Sequence, residues 1–261
     1  SLGAESYVVS AVGDDTFGNE ILDLLKQLGL NTRYIRIDRD HPTGTVSVEL
    51  DAEGTPNFTI HEDVAWDYIP LSDEVLQLAS QTDAVCYGSL AQRSRVSRTT
   101  ILNFIRATPE ACLRIYDVNL RQAFYSKDII QETLELSNVL KLNDEELPRV
   151  AEMCSVSGNE TQMLRQFLTT YNLKLIALTR GKNGSRLVTR DADSTVGGKI
   201  LPVADSVGAG DAFTAALVMG TIKRLPIRTI HYQADLLASY VCTQKGATPV
   251  LPDDLKIKLA N

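Results

Sequence analysis

A glycine-rich turn followed by an acidic residue gives this sequence its clearest chemical signal. The turn is Gly208-Ala209-Gly210, the acidic residue is Asp211, and the small, apolar run from Thr214 to Gly220 predicts a buried helix. Such a turn leaves backbone N–H groups unpaired at the positive end of the helix dipole. The pattern predicts an anion site with a carboxylate beside it, although a carboxylate in a first helical turn can also be purely structural.

Two other nucleotide-binding motifs do not fit the residues around the glycines. The segment from Gly13 to Gly18 has the glycine spacing of a P-loop, but Asn19-Glu20 stands where that motif requires Lys and then Ser or Thr. The turn at 208–210 lacks the third glycine of a dinucleotide fingerprint, and Asp211 would face the pyrophosphate. A P-loop is excluded, and a nicotinamide enzyme is disfavoured.

Strand-like and helix-like segments alternate along the chain. Apolar β-branched runs predict strands, and amphipathic runs closed by turn residues predict helices. The predicted strands are 7–12, 84–87, 113–118, 139–142 and 173–179, and the predicted helices include 17–28, 73–80 and 99–107. This alternation predicts a mostly parallel sheet with helices on both faces, in one main domain over residues 1–261.

Two strand-like runs interrupt the alternation, at 45–50 and 57–61. The joining segment Asp51-Ala52-Glu53-Gly54 predicts a β-hairpin outside the main sheet, at about residues 43–62. It is either an ordinary edge hairpin or a lid that shields a site from water, and the pattern leaves both open. An exposed two-stranded element is barely stable alone, which indicates association through the hairpin.

The charge, hydropathy and cysteine content of the sequence limit which partners and which cellular compartment we expect. The net charge is −7 without a basic run, so nucleic acid is not an expected partner. No apolar stretch reaches membrane-spanning length and no charged-then-apolar leader is present, so we expect a soluble, cytoplasmic protein. The four cysteines are scattered without a Cys-x-x-Cys pair, which predicts buried, reduced thiols.

The segment Asp205-Ser206-Val207-Gly208-Ala209-Gly210-Asp211 resembles the C-terminal signature of the ribokinase-like (PfkB) carbohydrate kinases, Asp-Thr-x-Gly-Ala-Gly-Asp. The resemblance implies a three-layer α/β/α fold with a mostly parallel central sheet and a small β lid. It implies that Gly208, Ala209 and Gly210 form an anion hole for the phosphoryl group of ATP, and that Asp211 is the catalytic base toward a sugar hydroxyl. It also makes Asp205 a candidate ligand of a potassium ion.

Shorter motifs resemble further elements of that family, in the family's order. Asn143-Asp144-Glu145-Glu146 is similar to its Asn-x-x-Glu element and implies that Glu146 helps to position Mg²⁺ through water; in isolation it would be a helix cap. The segment 179–184 resembles the Thr-x-Gly-x-x-Gly loop, which in isolation is a hairpin turn, and 238–247 resembles the helix and turn beside the adenine. The implied nucleotide-binding residues are Asn143, Glu146, Thr179, Gly181, Gly184, Thr243, Gly246 and Ala247.

The sugar is suggested by Asp117-Val118-Asn119-Leu120-Arg121, which is similar to an Asp-x-Asn-x-Arg element of fructokinases and 2-keto-3-deoxygluconate kinases. Ligands of open parallel sheets bind at the carboxyl ends of strands, so Asn119 and Arg121 are candidate sugar ligands; the alternative is a capped, salt-bridged loop. The resemblance begins inside the family's first helix, so we expect the family's first strand and sugar-binding segment to be missing from these residues.

The function implied is an ATP- and Mg²⁺-dependent sugar kinase, with fructose phosphorylated at its primary O6. A 2-keto-3-deoxygluconate kinase, with Arg121 facing the acid, and a ribokinase are the alternatives within the family. The alternative from another class is a catalytically silent sugar or nucleotide sensor of the same fold. An intact Asp211 argues against the sensor, since binding alone does not require a base.

Overall fold

The computed structural model describes residues 2–50, 56–199 and 202–260, and these residues divide into two compact units. The first unit comprises Ser1–Ala4, Thr82–Ser89 and Glu110–Asn261, and the second comprises Glu5–Gln81 and Leu90–Pro109. Within the described ranges, every helix is too short or too polar to cross a membrane.

Ten strands and nine α-helices are described, together with three short 3₁₀ helices, Ala65–Tyr68, Leu90–Gln92 and Gly181–Asn183. The strands are β1 (Ser10–Gly13), β2 (Ile35–Asp38), β3 (Val46–Leu50), β4 (Pro56–Ile60), β5 (Ala84–Tyr87), β6 (Leu113–Asp117), β7 (Val139–Asn143), β8 (Leu175–Thr179), β9 (Gly184–Val188) and β10 (Asp193–Gly197). The α-helices are α1 (Thr16–Gln27), α2 (Asp73–Ser80), α3 (Arg95–Ala107), α4 (Lys127–Leu136), α5 (Glu146–Met153), α6 (Glu160–Thr170), α7 (Ala209–Ile222), α8 (Ile227–Cys242) and α9 (Asp253–Ala260).

A six-stranded sheet forms the centre of the first unit, in the order β10-β9-β8-β7-β6-β5. Strands β5 to β8 are parallel, while β9 and β10 pair in antiparallel fashion at one edge. Parallel neighbours bring the carboxyl ends of their strands to the same edge of the sheet. Loops that follow β6, β7 and β8 therefore meet there, which is where ligands of open α/β sheets bind.

The first unit buries apolar side chains on both faces of this sheet. One face carries Ile115, Val139 and Ala177, which pack against Phe213 of α7 and Ile230 of α8. Because side chains alternate along a strand, the next residues point to the opposite face. Helices α4, α5 and α6 contact β6, β7 and β8. The fully buried large side chains of these elements are Tyr116, Ile130, Leu134, Leu140, Leu142, Leu164, Phe167, Leu168 and Ile176.

The second unit contains the parallel pair β1-β2, helices α1 to α3 and the antiparallel hairpin β3-β4. Asp15 caps α1 by accepting from the Gly18 amide, and its other oxygen accepts from the Thr43 amide. These hydrogen bonds lower the pKa of the Asp15 carboxyl. The predicted hairpin is present in β3 and β4, and its turn at 51–54 lies outside the described residues.

Most predicted elements agree with the structure, and the deviations are local. Strand β5 and helix α2 have the predicted bounds, whereas β1 is shorter, since Tyr7 forms only an isolated bridge to Asn31. All four cysteines are free, as expected, and Cys112 is buried. The prediction of a buried thiol is wrong for Cys86, which is exposed because β5 is an edge strand of the sheet.

Candidate active site

Helix α7 begins at a turn whose geometry requires glycine. Gly208 has φ +82°, and a Cβ atom added there would lie 2.4 Å from the Ala247 carbonyl oxygen. A side chain at this position would be both strained and in collision with backbone. The start of α7 is thus held closely against the turn that follows α8.

Most amides at the start of α7 have no acceptor within the described residues. Only the Ala209 amide donates to a carbonyl, that of Ser206 at 3.3 Å. Across the described ranges, the amides of Gly208, Gly210 and Asp211 donate to no protein acceptor. The Asp211 side chain is exposed in the first turn. A carboxylate and unpaired amides therefore lie together at the positive end of a fourteen-residue helix.

Asp205 ties this turn to the end of α8. Its carboxylate accepts from the Val207 amide at 3.0 Å and from the Gly246 amide at 3.3 Å. The Thr243 hydroxyl donates to the Tyr240 carbonyl at 2.7 Å and closes the last turn of α8. The structure thus brings together Asp205, Gly208, Gly246 and Ala247, four residues that the sequence analysis singled out.

Asn143 and Glu146 form a reciprocal helix cap. The Asn143 side-chain oxygen accepts from the Glu146 amide at 2.8 Å, and Glu146 Oε2 accepts from the Asn143 amide at 2.9 Å. Glu146 Oε1 accepts from the Leu120 amide at 2.8 Å, so the carboxylate also fixes the loop after β6. Glu146 is 6% exposed. The motif therefore forms a helix cap, and each carboxylate oxygen of Glu146 can accept one further hydrogen bond from a water molecule.

The loop after β6 exposes the two candidate sugar ligands. Asn119 has φ +45° and is exposed, and the exposed Arg121 donates to the Leu120 carbonyl at 3.2 Å. Asp117, which precedes them, forms an ion pair with Lys141 instead of capping the loop. The carboxylate of Glu146 sets the position of Leu120 and thereby the backbone between the two candidates.

The loop from Thr179 to Gly184 joins β8 to β9 through a 3₁₀ turn. Gly184 has φ +93°, and a Cβ atom there would lie 2.1 Å from the Val196 carbonyl oxygen, so the hairpin requires glycine. The Thr179 carbonyl accepts from the Asp144 amide at 3.0 Å, which links this loop to the Asn143 motif. Gly181 is exposed. The motif is therefore a hairpin turn that also lies at the carboxyl edge of the sheet.

Family comparison decides between a generic anion site and a kinase. The profile of the pfkB family of carbohydrate kinases matches residues 1–254, which is nearly the whole chain. The chain belongs to the pfkB family of carbohydrate kinases. An uncharacterized sugar kinase of Pyrococcus horikoshii is 29% identical over 269 residues, covering 99% of this chain and 82% of that protein. A fructokinase of Klebsiella pneumoniae is 29% identical over 273 residues, with coverages of 99% and 87%.

Solved structures extend the comparison to the fold of this pfkB kinase. The Pyrococcus horikoshii sugar kinase in complex with ATP matches with a TM-score of 0.80 and 28% identity over 94% of this chain and 80% of the other. A fructokinase of Xylella fastidiosa with bound ATP gives a TM-score of 0.84 over 99% and 85%, at 21% identity. The ribokinase-like α/β fold with a mostly parallel central sheet is thereby confirmed.

The pfkB kinase also has a charged pair at the site that the sequence did not reveal. Lys141 Nζ lies 2.6 Å from Asp117 Oδ2, and both side chains are almost completely buried. A Cβ atom on Gly210 would lie 3.2 Å from the same ammonium nitrogen. The available signal was a single lysine within the otherwise apolar run Val139–Leu142, a type of residue that is rarely buried without a partner.

Metal ligation is not evident from side-chain clusters. Over the described ranges, His, Cys, Asp and Glu side chains form no group of three or more that could hold a metal ion. Among the predicted residues of the pfkB kinase, only isolated carboxylates such as Glu146 and Asp205 are available. A divalent ion here would depend on water and on nucleotide phosphates for most of its ligands, as Mg²⁺ commonly does.

Proposed function

We propose that this pfkB kinase transfers the γ-phosphoryl group of ATP to a hydroxyl group of a small sugar, with O6 of fructose as the acceptor. The observation that carries the proposal is the exposed Asp211 carboxylate beside three backbone amides that lack protein acceptors. The relatives with ATP in their structures and those named sugar kinase or fructokinase support the nucleotide and the substrate class.

In the proposed reaction, Asp211 accepts the proton of the attacking sugar hydroxyl. The amides of Gly208, Gly210 and Asp211 stabilise the negative charge that spreads over the oxygens of the transferring group. These amides are already oriented by the helix, so little reorganisation is needed when charge develops. The glycine at 208 permits this arrangement because its backbone conformation disfavours other residues.

The nucleotide would extend from the start of α7 toward two neighbouring turns. We propose that Gly246 and Ala247 border the base, and that Thr179, Gly181 and Gly184 border the phosphates, with Asn143 and Thr243 nearby. Mg²⁺ bound with ATP would neutralise phosphate charge. Glu146 fits only a water-mediated contact to that ion, because each of its oxygens already accepts an amide. Asp205 remains the proposed ligand of a potassium ion, since its carboxylate is only partly buried, whereas that of Glu146 is 6% exposed.

Fructose is the proposed sugar for two reasons. A relative at 29% identity is named fructokinase, and Asn119 and Arg121 are exposed at the carboxyl edge, where a sugar hydroxyl can be bound. The guanidinium of Arg121 would equally suit the carboxylate of 2-keto-3-deoxygluconate. Direct comparison of the two sugars decides between them.

We also propose that the chain acts as a single kinase domain in which the β3-β4 hairpin serves as a lid and pairs with a second copy. The hairpin carries Val46, Val48 and Phe58 as exposed apolar residues, and Val48 is directly opposite Phe58 in the register. Side chains alternate along a strand, so these three share one face. An apolar face on a two-stranded hairpin favours association.

The test is an ADP-release assay with fructose, ribose, 2-keto-3-deoxygluconate and adenosine, carried out on the wild type and on Asp211→Asn. We expect release with fructose and a fall in kcat of about a hundredfold to a thousandfold in the variant, with ADP affinity retained. The matched control is Asp253→Asn, because Asp253 is also an acid in the first turn of a helix. Normal turnover in Asp211→Asn would remove the base assignment, and no ADP release with any sugar would favour the sensor.

A further inference from the structure

The buried Lys141-Asp117 pair lies directly below the anion site. Asp117 ends β6 and faces Lys141 of β7 in the parallel register. Lys141 shares its face of the sheet with Val139, which packs under α7. The side chains of Lys141 and Asp117 are only 10% and 13% exposed. The pair therefore lies between the sheet and the first turn of α7, where a Cβ atom on residue 210 would lie 3.2 Å from the ammonium nitrogen.

The ammonium of Lys141 lies beside the start of α7 and is paired with a single carboxylate, that of Asp117. The start of a helix carries a partial positive charge, so a buried cation beside it is repelled as well as desolvated. Asp117 compensates one unit of charge, and the Thr214 hydroxyl lies 3.3 Å from the same carboxylate oxygen. Of the acceptors in the described chain, only Asp117 accepts from the three-proton ammonium of Lys141. Donor capacity therefore remains on the ammonium.

We propose that Lys141 is a catalytic residue whose ammonium contacts the oxygens of the transferring phosphoryl group, next to the amides of Gly210 and Asp211. Asp117 and Thr214 act as positioning residues that hold the ammonium below Gly210. The inference rests on the proposed phosphoryl transfer and extends it. The cation stabilises charge that increases during transfer, while Asp211 takes the proton from the acceptor hydroxyl, so the two residues have separate roles.

The alternative role is structural: the pair would only join β6 to β7. Variants of both partners separate the two roles. Lys141→Met leaves the Asp117 carboxylate buried without its partner and should lower both stability and turnover. The double variant Lys141→Met with Asp117→Asn removes both charges, keeps similar side-chain volumes and should recover most of the thermal stability. If Lys141 is catalytic, turnover stays about a hundredfold below wild type in the double variant.

A second measurement does not depend on turnover. ADP with aluminium fluoride mimics the planar transferring group, and we expect wild type to bind it more tightly than ADP alone. The double variant should bind ADP within about threefold of wild type but lose about a hundredfold in affinity for the mimic. The single variant Lys141→Arg should bind the mimic more tightly than the double variant does, since it retains a cation. The matched control is Lys199→Met with Asp235→Asn, another ion pair of the first unit, which should change neither affinity.

The outcomes separate this inference from the proposed function. The Lys141-Asp117 double variant could recover turnover and affinity for the mimic along with its stability. That result would overturn the catalytic role of Lys141 and show that the pair is structural. Absence of ADP release from wild type with every sugar would contradict the proposed function itself. Turnover in wild type with a persistent loss in the stable double variant supports both.

Discussion

The two compact units differ in what occupies their interiors. The first unit buries large apolar side chains on both faces of a six-stranded sheet. Among the described residues, the second unit buries a smaller set of apolar side chains, including Ile35, Val64 and Ile105, together with an ion pair between Arg93 and Asp67. Arg93 also stacks over the Trp66 ring at 4.0 Å. Both units therefore combine buried apolar side chains with a buried ion pair, and the apolar set is larger in the first unit.

The two units also differ in how many large apolar side chains they expose. Most of the large exposed hydrophobic side chains in the described residues belong to the second unit. Helix α1 presents Phe17, Ile21 and Leu24, and its C-cap Leu28 continues the spacing that places them on one helical face. The candidate site lies in the first unit, whose sheet carries buried apolar side chains on both faces.

The largest effect should come from removing equivalent side chains in the two units. Phe167 of α6 is fully buried, whereas Phe17 of α1 is 58% exposed. We expect Phe167→Ala to lower the free energy of unfolding by about 4 kcal/mol, and Phe17→Ala by less than about 1 kcal/mol. Urea denaturation of both variants measures the difference. Equal losses would contradict the different burial of these two side chains.

Breaking the polar interior of the second unit should have a slightly smaller effect. Asp67→Ala leaves the Arg93 guanidinium buried without the carboxylate that it contacts at 2.8 Å. We expect a loss of about 3 kcal/mol in the free energy of unfolding. The control is Asp23→Ala, which removes an exposed pair with Lys26 and should cost less than about 1 kcal/mol. A neutral Asp67→Ala would show that the second unit does not depend on this ion pair.

A pH effect should come from a buried histidine of the first unit. His231 is fully buried, contacts the hydroxyls of Ser185 and Ser194, and its pKa is lowered by burial. As the pH falls, His231 is protonated at a higher pH in the unfolded chain than in the folded protein. The contribution of neutral His231 to stability is therefore fully present above about pH 6.5, and it declines as the pH falls toward the lower folded pKa. Thermal melts between pH 8 and 5 should show a steeper decline in wild type than in His231→Gln. Identical slopes would contradict this assignment.

The smallest effect on stability should come from the exposed face of the hairpin. Phe58 is 59% exposed, so Phe58→Ser should change the free energy of unfolding by less than about 0.5 kcal/mol. If the hairpin pairs with a second copy, the variant should instead shift sedimentation from a dimer toward a monomer. Ile222→Ser, an exposed site in the first unit, is the control. A wild type that sediments as a monomer would contradict the proposed pairing.

Much of the fold was predictable because each element has a local pattern. The apolar run at 84–87 and the amphipathic run at 73–80 specify β5 and α2 without long-range information. The exposure of residues in edge strands was not predictable. The apolar context of Cys86 predicts a buried residue, yet Cys86 is exposed in a strand that has no neighbour on one side within the described sheet. Burial depends on the order of strands, which local periodicity does not contain.

The sequence by itself determined the family, the start of α7 and the candidate base Asp211, because these depend on a contiguous motif and on local helix geometry. Only the tertiary structure decided that Lys141 and Asp117 lie below Gly210, since these residues come from two strands and a helix far apart in the chain. Pairing of parallel strands brings them together. The lysine in the otherwise apolar strand β7 gains its partner Asp117 only when β6 and β7 pair in the sheet.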